Sequence, residues 1–312
     1  MDVSREITHF LREMFMTMVP FILAAQGTML AGRTGVFVVA QEGIMLTTAS
    51  VGFIVAFQTS NVFFGILAAF TVGAAYGLVI SFMTTTLKMN QFVSGLSLFF
   101  IGVGISTLIP KLVIGVTLVP PIIPTLPNIP IPLLSKIPFV GDIFFNQNVL
   151  VYFAVLISLA LYYFLYRTNA GLTMRSVGEN PKAADALGIN VFRNRYIAVI
   201  LGCALIGVAG VYLPMVYSGT FTEAITKGRG WLSIALTFFG GWRPLQIFMG
   251  SLFFAGIEVL SYRVQVAASS IPYQFLMMLP YLATIVVMIF SFRKSTTPGF
   301  LGKNYDREKR TL

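Results

Sequence analysis

The chain has 312 residues, 56% of them apolar and only 10% charged, with a mean hydropathy of +0.84 and a formal net charge of +10. A water-soluble surface needs roughly 25% charged residues, so this composition indicates lipid as the solvent. One cysteine, Cys203, excludes an internal disulfide framework and a cysteine zinc site, and the single histidine, His9, set among charges, supports neither a metal site nor a triad-type or His-Glu-x-x-His active site.

In chain order, Arg5 and Arg12 precede an apolar run ending Leu23-Ala24-Ala25-Gln26, loosely like a secretory signal. Glu6 and Glu13 interrupt that basic region, so the run reads as an uncleaved first helix. A spanning helix needs about 20 apolar residues. The first candidates are 10–32, kinkable at Pro20, and 36–59, irregular where Val36–Val39 gives way to Gln41-Glu42-Gly43. Next come 62–87, with Gly73 and Gly77 spaced for close helix approach, and 91–110. The interval 110–147 carries prolines at 110, 120, 121, 124, 127, 130, 132 and 138 and is placed outside the membrane, with a re-entrant piece at 112–123 as the alternative. Segments 148–166, 196–217, 230–242, 244–262 and 271–292 complete the set, the seventh too short to cross comfortably. The expected fold is all-α and polytopic, with about nine transmembrane helices (eight to ten), one short or broken. A single transmembrane domain, 1–292, is followed by a basic tail, 293–312.

Between segments five and six lies the long polar interval 167–195. Within it Asn180 can cap a short helix, Pro181 fits its first position and Gly188 ends it. A capped helix on the water-facing side of a membrane protein is a handle for a soluble partner. Its alternative is a solvated connector. Loop and tail together hold 11 of the 21 basic residues, which marks both as cytoplasmic. With nine crossings the N-terminus lies outside, and Arg33, Lys88 and Arg243 join the inner set. The excess of positive charge is then an orientation signal and not a nucleic-acid surface.

No G-x-x-x-x-G-K-[ST] loop occurs, so the chain does not bind ATP in that way. Four stretches carry a resemblance: RTGVFVVAQEGIML at 33–46, NQFVSGL at 90–96, GLTMRSVGENPKAADALGI at 171–189 and GRGWLSIALTFFGGWRP at 228–244. In that order the chain resembles a permease subunit of a bacterial ABC importer, in the nucleoside and simple-sugar branch related to the ribose and branched-chain amino acid permeases. The resemblance implies a multi-pass protein of the bacterial plasma membrane with a cytoplasmic C-terminus and no cofactor of its own. It also implies three partners: a cytoplasmic ATPase that binds ATP and Mg, a second homologous permease subunit, and an extracytoplasmic substrate-binding lipoprotein. Coupling to the ATPase would fall to Gly178, Glu179, Asn180, Pro181, Lys182, Ala183, Ala184, Asp185 and Gly188. Lys182 replaces the glutamate of the general E-A-A-x-x-x-G loop, although Ala183, Ala184 and Gly188 keep the spacing.

Gln41, Glu42, Asn90, Gln91 and Ser94 are the candidate pathway residues. A carboxylate at membrane depth faces a cavity or a partner; for Glu42 the other reading is a structural carboxylate accepting N–H groups at a helix start. Asn90 can equally cap segment four. Glu258, with Tyr262 one turn on and Arg263 close by, reads as a structural polar contact, and Trp231 and Trp242 as interface anchors. The rival function is an ion-coupled secondary transporter using Glu42 and Glu258.

Overall fold

A computed structural model of the chain describes residues 3–115, 119–132, 134–137, 139–267, 272–291 and 297–307. The basic residues Arg293, Lys294, Lys309 and Arg310 of the tail, Pro138, and part of the re-entrant alternative at 112–123 lie outside the described residues.

All nine expected segments are helical: α1 (Val3–Gly32), α2 (Gln41–Thr59), α3 (Val62–Ser81, continued by a π-turn to Thr86), α4 (Gln91–Val113), α6 (Val149–Arg167), α9 (Val191–Tyr212, continued by a π-turn to Ser218), α10 (Arg229–Phe239), α11 (Pro244–Ala267) and α12 (Tyr273–Ser291). Three short helices lie between them: α5 (Val140–Phe144), α7 (Asn169–Glu179) and α8 (Pro181–Ala186). Among the described residues, seven helices are long and apolar enough to cross a membrane: α1, α2, α3, α4, α6, α9 and α11. The chain is therefore a polytopic, all-helical membrane protein. With 11 residues α10 rises only about 16 Å, roughly half of a ~30 Å hydrocarbon core. The apolar stretch of α12 runs only from Gln274 to Ile289.

Two segments differ from expectation. The second begins at Gln41, because Val36–Ala40 is extended. β-Branched residues suit that conformation, and all but Phe37 of the five are buried in protein, where free backbone groups are tolerated at membrane depth. The proline-rich interval starts later than Pro110, since α4 carries that proline into its last turn. Beyond it a small hairpin pairs β1 (Asn128–Pro130) with β2 (Asn146–Asn148), and Ile123 and Leu126 donate to Gly219 and Met215.

α1 and α9 are the central pair. The apolar window of α1 is 89% buried and that of α9 78%, against 28% for α3 and for α4, whose outer faces carry exposed Phe63, Phe64, Phe92 and Phe100. Helices in lipid gain no hydrophobic drive from meeting each other, so close backbone contact must hold them. Gly27 and Gly202 provide it: a Cβ on either would sit 2.3–2.4 Å from the carbonyl oxygen of the other. On its far side α9 receives Gly73 of α3 against the carbonyl of the fully buried Cys203. Gly202→Ala is expected to force α1 and α9 apart at a cost of about 1–3 kcal/mol. A lower thermal midpoint in detergent checks this; an unchanged midpoint contradicts it.

Candidate functional site

At one end of the bundle α7 and α8 form a bracket. Thr168 Oγ1 caps α7 by accepting from Gly171 N–H (3.1 Å), and Asn180 Oδ1 caps α8 by accepting from Ala183 N–H (3.1 Å), with Pro181 in the first turn. Gly188 has φ +80°, and its N–H donates to the Asp185 carbonyl (2.9 Å). One face of α8 is held: Ala184 is buried with Val177, Val191 and Tyr305. The other face is open, and Leu187 is 81% exposed.

The tail supplies much of that hold, which sequence reasoning missed. Phe300 N–H donates to the Gly178 carbonyl (2.9 Å), Gly299 N–H to the Glu179 carboxylate (3.0 Å), and Arg307 pairs with Asp185 (3.0 Å). Asp306 pairs with Lys88 (2.9 Å), and Asn304 Nδ2 donates to the carbonyls of Lys88 and Met89. Burial, then the neighbouring Asp185 carboxylate, raise the Tyr305 phenol above its ordinary value. The aromatic residues Phe300 and Tyr305 in a mostly polar tail were the available signal. Arg33 belongs to the same end, donating to the Trp242 carbonyl (2.8 Å) and the Tyr166 hydroxyl (3.2 Å). Arg33, Lys88, the 167–195 loop, Trp242–Arg243 and residues 297–307 thus share one end of the protein.

The candidate pathway residues fall into two groups. Asn90, Gln91 and Ser94 open α4 at the α8 end. Asn90 Oδ1 caps α4 through Phe92 and Val93, and Gln91 bridges the Phe37 N–H (2.7 Å) to the Lys303 carbonyl (3.2 Å). Ser94 Oγ is buried without a hydrogen-bond partner among the described residues. Gln41 and Glu42 lie deeper, at the start of α2, where Gln41 Nε2 donates to Thr28 Oγ1. Glu42 Oε1 accepts from Gly228 N–H (2.8 Å) and Thr226 Oγ1, and Oε2 from Gly230 N–H (2.7 Å). Those are the contacts of a carboxylate at a helix start, and the helix is α10. Gly230 permits the approach, since a Cβ there would meet the Glu42 backbone N–H and carboxylate at 2.6–2.7 Å.

A second carboxylate lies beside α10. Glu258 of α11 pairs with Arg229 and accepts from Tyr262 Oη (3.0 Å). Its expected neighbour Arg263 instead pairs with Glu13 of α1 (3.1 Å). Five residues along a helix turn a side chain about 140° away, which explains the difference. Trp242 is not an interface anchor: it is fully buried, packed over Gly32 and edge-on to Phe238. Trp231 is 37% exposed beside Phe99.

Residues 10–290 match the family described as branched-chain amino acid transport system / permease component. The chain belongs to this permease family. It is 32% identical to TsgC13 of Haloferax volcanii, provisionally named a glucose ABC transporter permease protein, over 92% of this permease and 94% of that protein. It is 31% identical to the nucleoside ABC transporter permease protein NupC of Lactococcus lactis and 29% to the guanosine ABC transporter permease protein NupQ of Bacillus subtilis. Both alignments cover 99% of this permease and 100% of the relative. No solved structure matches the permease.

Proposed function

We propose that this permease forms half of the membrane pathway of an ATP-driven importer for nucleosides or simple sugars, the other half being a second homologous permease subunit. A separate ATPase, which binds ATP and Mg, grips α8 through residues 178–188. The α8 end and the tail face the cytoplasm of the cell bounded by this plasma membrane, and a substrate-binding lipoprotein delivers solute to the opposite end. The observation that carries this reading is α8 itself: capped, braced from behind by the tail, and presenting the exposed Leu187 outward. The names of the full-length relatives support the substrate class.

The two intramembrane carboxylates weigh against ion coupling. Glu42 already accepts two N–H groups and a hydroxyl, and Glu258 is paired with Arg229. Liposomes containing this chain alone are expected to take up no guanosine or ribose down a proton or sodium gradient, whereas the assembled complex takes one of them up with ATP. Uptake by the lone chain would sink the importer reading. Leu187→Asp places a charge at the exposed C-cap of α8 without touching its buried face. It is expected to abolish co-purification with the ATPase while leaving the yield of folded permease unchanged. Co-purification at the wild-type level would move the docking surface elsewhere.

A further inference from the structure

At the end opposite α8, α1, the π-turn of α9, the 219–228 segment and α11 line a partly open cavity of about 380 Å³. It reaches down to the Arg229–Glu258 pair at the start of α10, and Thr17, Tyr217 and Tyr262 also line it. The same three residues line a wider outer cavity of about 750 Å³, with Glu6, His9 and Glu13 on its rim. The inner volume falls in the range of small-molecule sites, roughly 300–1,000 Å³.

The chemistry of the walls narrows the occupant. The charged lining is balanced, Lys227 and Arg229 against Glu223 and Glu258. A ligand carboxylate would seek either an open helix N-terminus or an uncommitted guanidinium. The N-terminus of α10 is already taken by Glu42, and Arg229 is already paired. What the walls present suits hydroxyl groups: the Glu258 carboxylate and the Tyr217 and Tyr262 phenols line the cavity, and behind them the buried Arg229 Nε has no hydrogen-bond partner among the described residues. A planar guanidinium beside a carboxylate offers donor and acceptor at the spacing of adjacent hydroxyls, and tyrosine rings cover the apolar face of a sugar.

We infer that this cavity is the solute chamber of the pathway and that it holds a neutral solute through vicinal hydroxyl groups, as carried by the ribose of a nucleoside or by a free simple sugar. The inference rests on the importer reading and names its substrate chemistry. Leucine has no such pair of hydroxyls and is excluded.

The test uses the complete complex with Thr222→Cys as reporter, because Thr222 is exposed in the cavity wall and the native Cys203 is fully buried. Guanosine, ribose, glucose and leucine are compared for protection of the introduced thiol from a methanethiosulfonate reagent, and for ATP-dependent uptake. The expected result is protection by guanosine or by one of the sugars, which tells the two sources apart, and none by leucine. The 2-deoxy form of the protecting solute should need about tenfold more for the same effect, the loss of one hydrogen bond to a charged group. Glu258→Gln is expected to weaken protection at least about tenfold. Because that change strands Arg229 and can reduce folding, Tyr262→Phe and Thr17→Val, which keep the ion pair, are read beside it, and each should raise the apparent KM for uptake more than it lowers kcat. Protection by leucine, equal protection by the deoxy form, or an unchanged KM in all three variants overturns the inference. Protection without ATP-dependent uptake would remove the importer reading alone; uptake without protection would remove the chamber alone.

Discussion

Replacing Glu42 by glutamine is expected to cut ATP-driven uptake at least about tenfold while the chain still reaches the membrane and still binds the proposed ATPase. The carboxylate accepts from Gly228 and Gly230 N–H on separate oxygens and from the Thr226 hydroxyl. An amide retains one acceptor oxygen and turns two donors toward the remaining N–H group. A buried donor facing a donor costs about 1–3 kcal/mol, more where a charged acceptor is lost, and tenfold corresponds to about 1.4 kcal/mol. The cost falls on the first turn of α10, which also carries Arg229 to the cavity at the end opposite α8. Global stability suffers less, because α10 is short and the α1–α9 contact does not involve it. Uptake at the wild-type rate would mean that the start of α10 can loosen without consequence for transport.

The second large effect concerns the brace behind α8. Tyr305→Ala should release α8, and Arg307→Ala should barely disturb it. Tyr305 is 4% exposed, among Val177, Ala184 and Val191 and edge-on to Phe192. Removing a buried aromatic side chain typically costs about 3–5 kcal/mol. The Arg307–Asp185 pair has an arginine side chain 78% exposed, and such pairs contribute about 0–1 kcal/mol. Amide hydrogen exchange at 180–188 should therefore rise strongly in the tyrosine variant and little in the arginine variant, with loss of ATPase co-purification following the first. Equal exchange in both would place the hold on α8 elsewhere.

What the sequence made legible was local. Asn180, Pro181 and Gly188 lie within nine residues, so capping chemistry alone could delimit α8. The short seventh segment was visible because length bears directly on crossing. Long-range contacts were not legible. Glu42 meets α10 across 184–188 residues, and composition says nothing about which helix start a carboxylate will cap. Hydropathy also could not tell that Val36–Ala40 is extended, since a buried apolar run scores alike in either conformation. The place of Trp242 was hidden for a related reason: a tryptophan beside a span fits an interface belt, but Gly32 leaves a hollow that the indole fills.

The clasp of residues 299–307 on α7 and α8 also bears on how the protein is made. Synthesis runs from the N-terminus, and Gly299 follows the Glu179 carboxylate it binds by 120 residues. The ribosome therefore delivers the bracket long before its fastening, with α9 to α12 still to be made. A surface completed so late reports that translation has passed the last helix, and a nascent fragment lacks the finished face on which the proposed ATPase would dock.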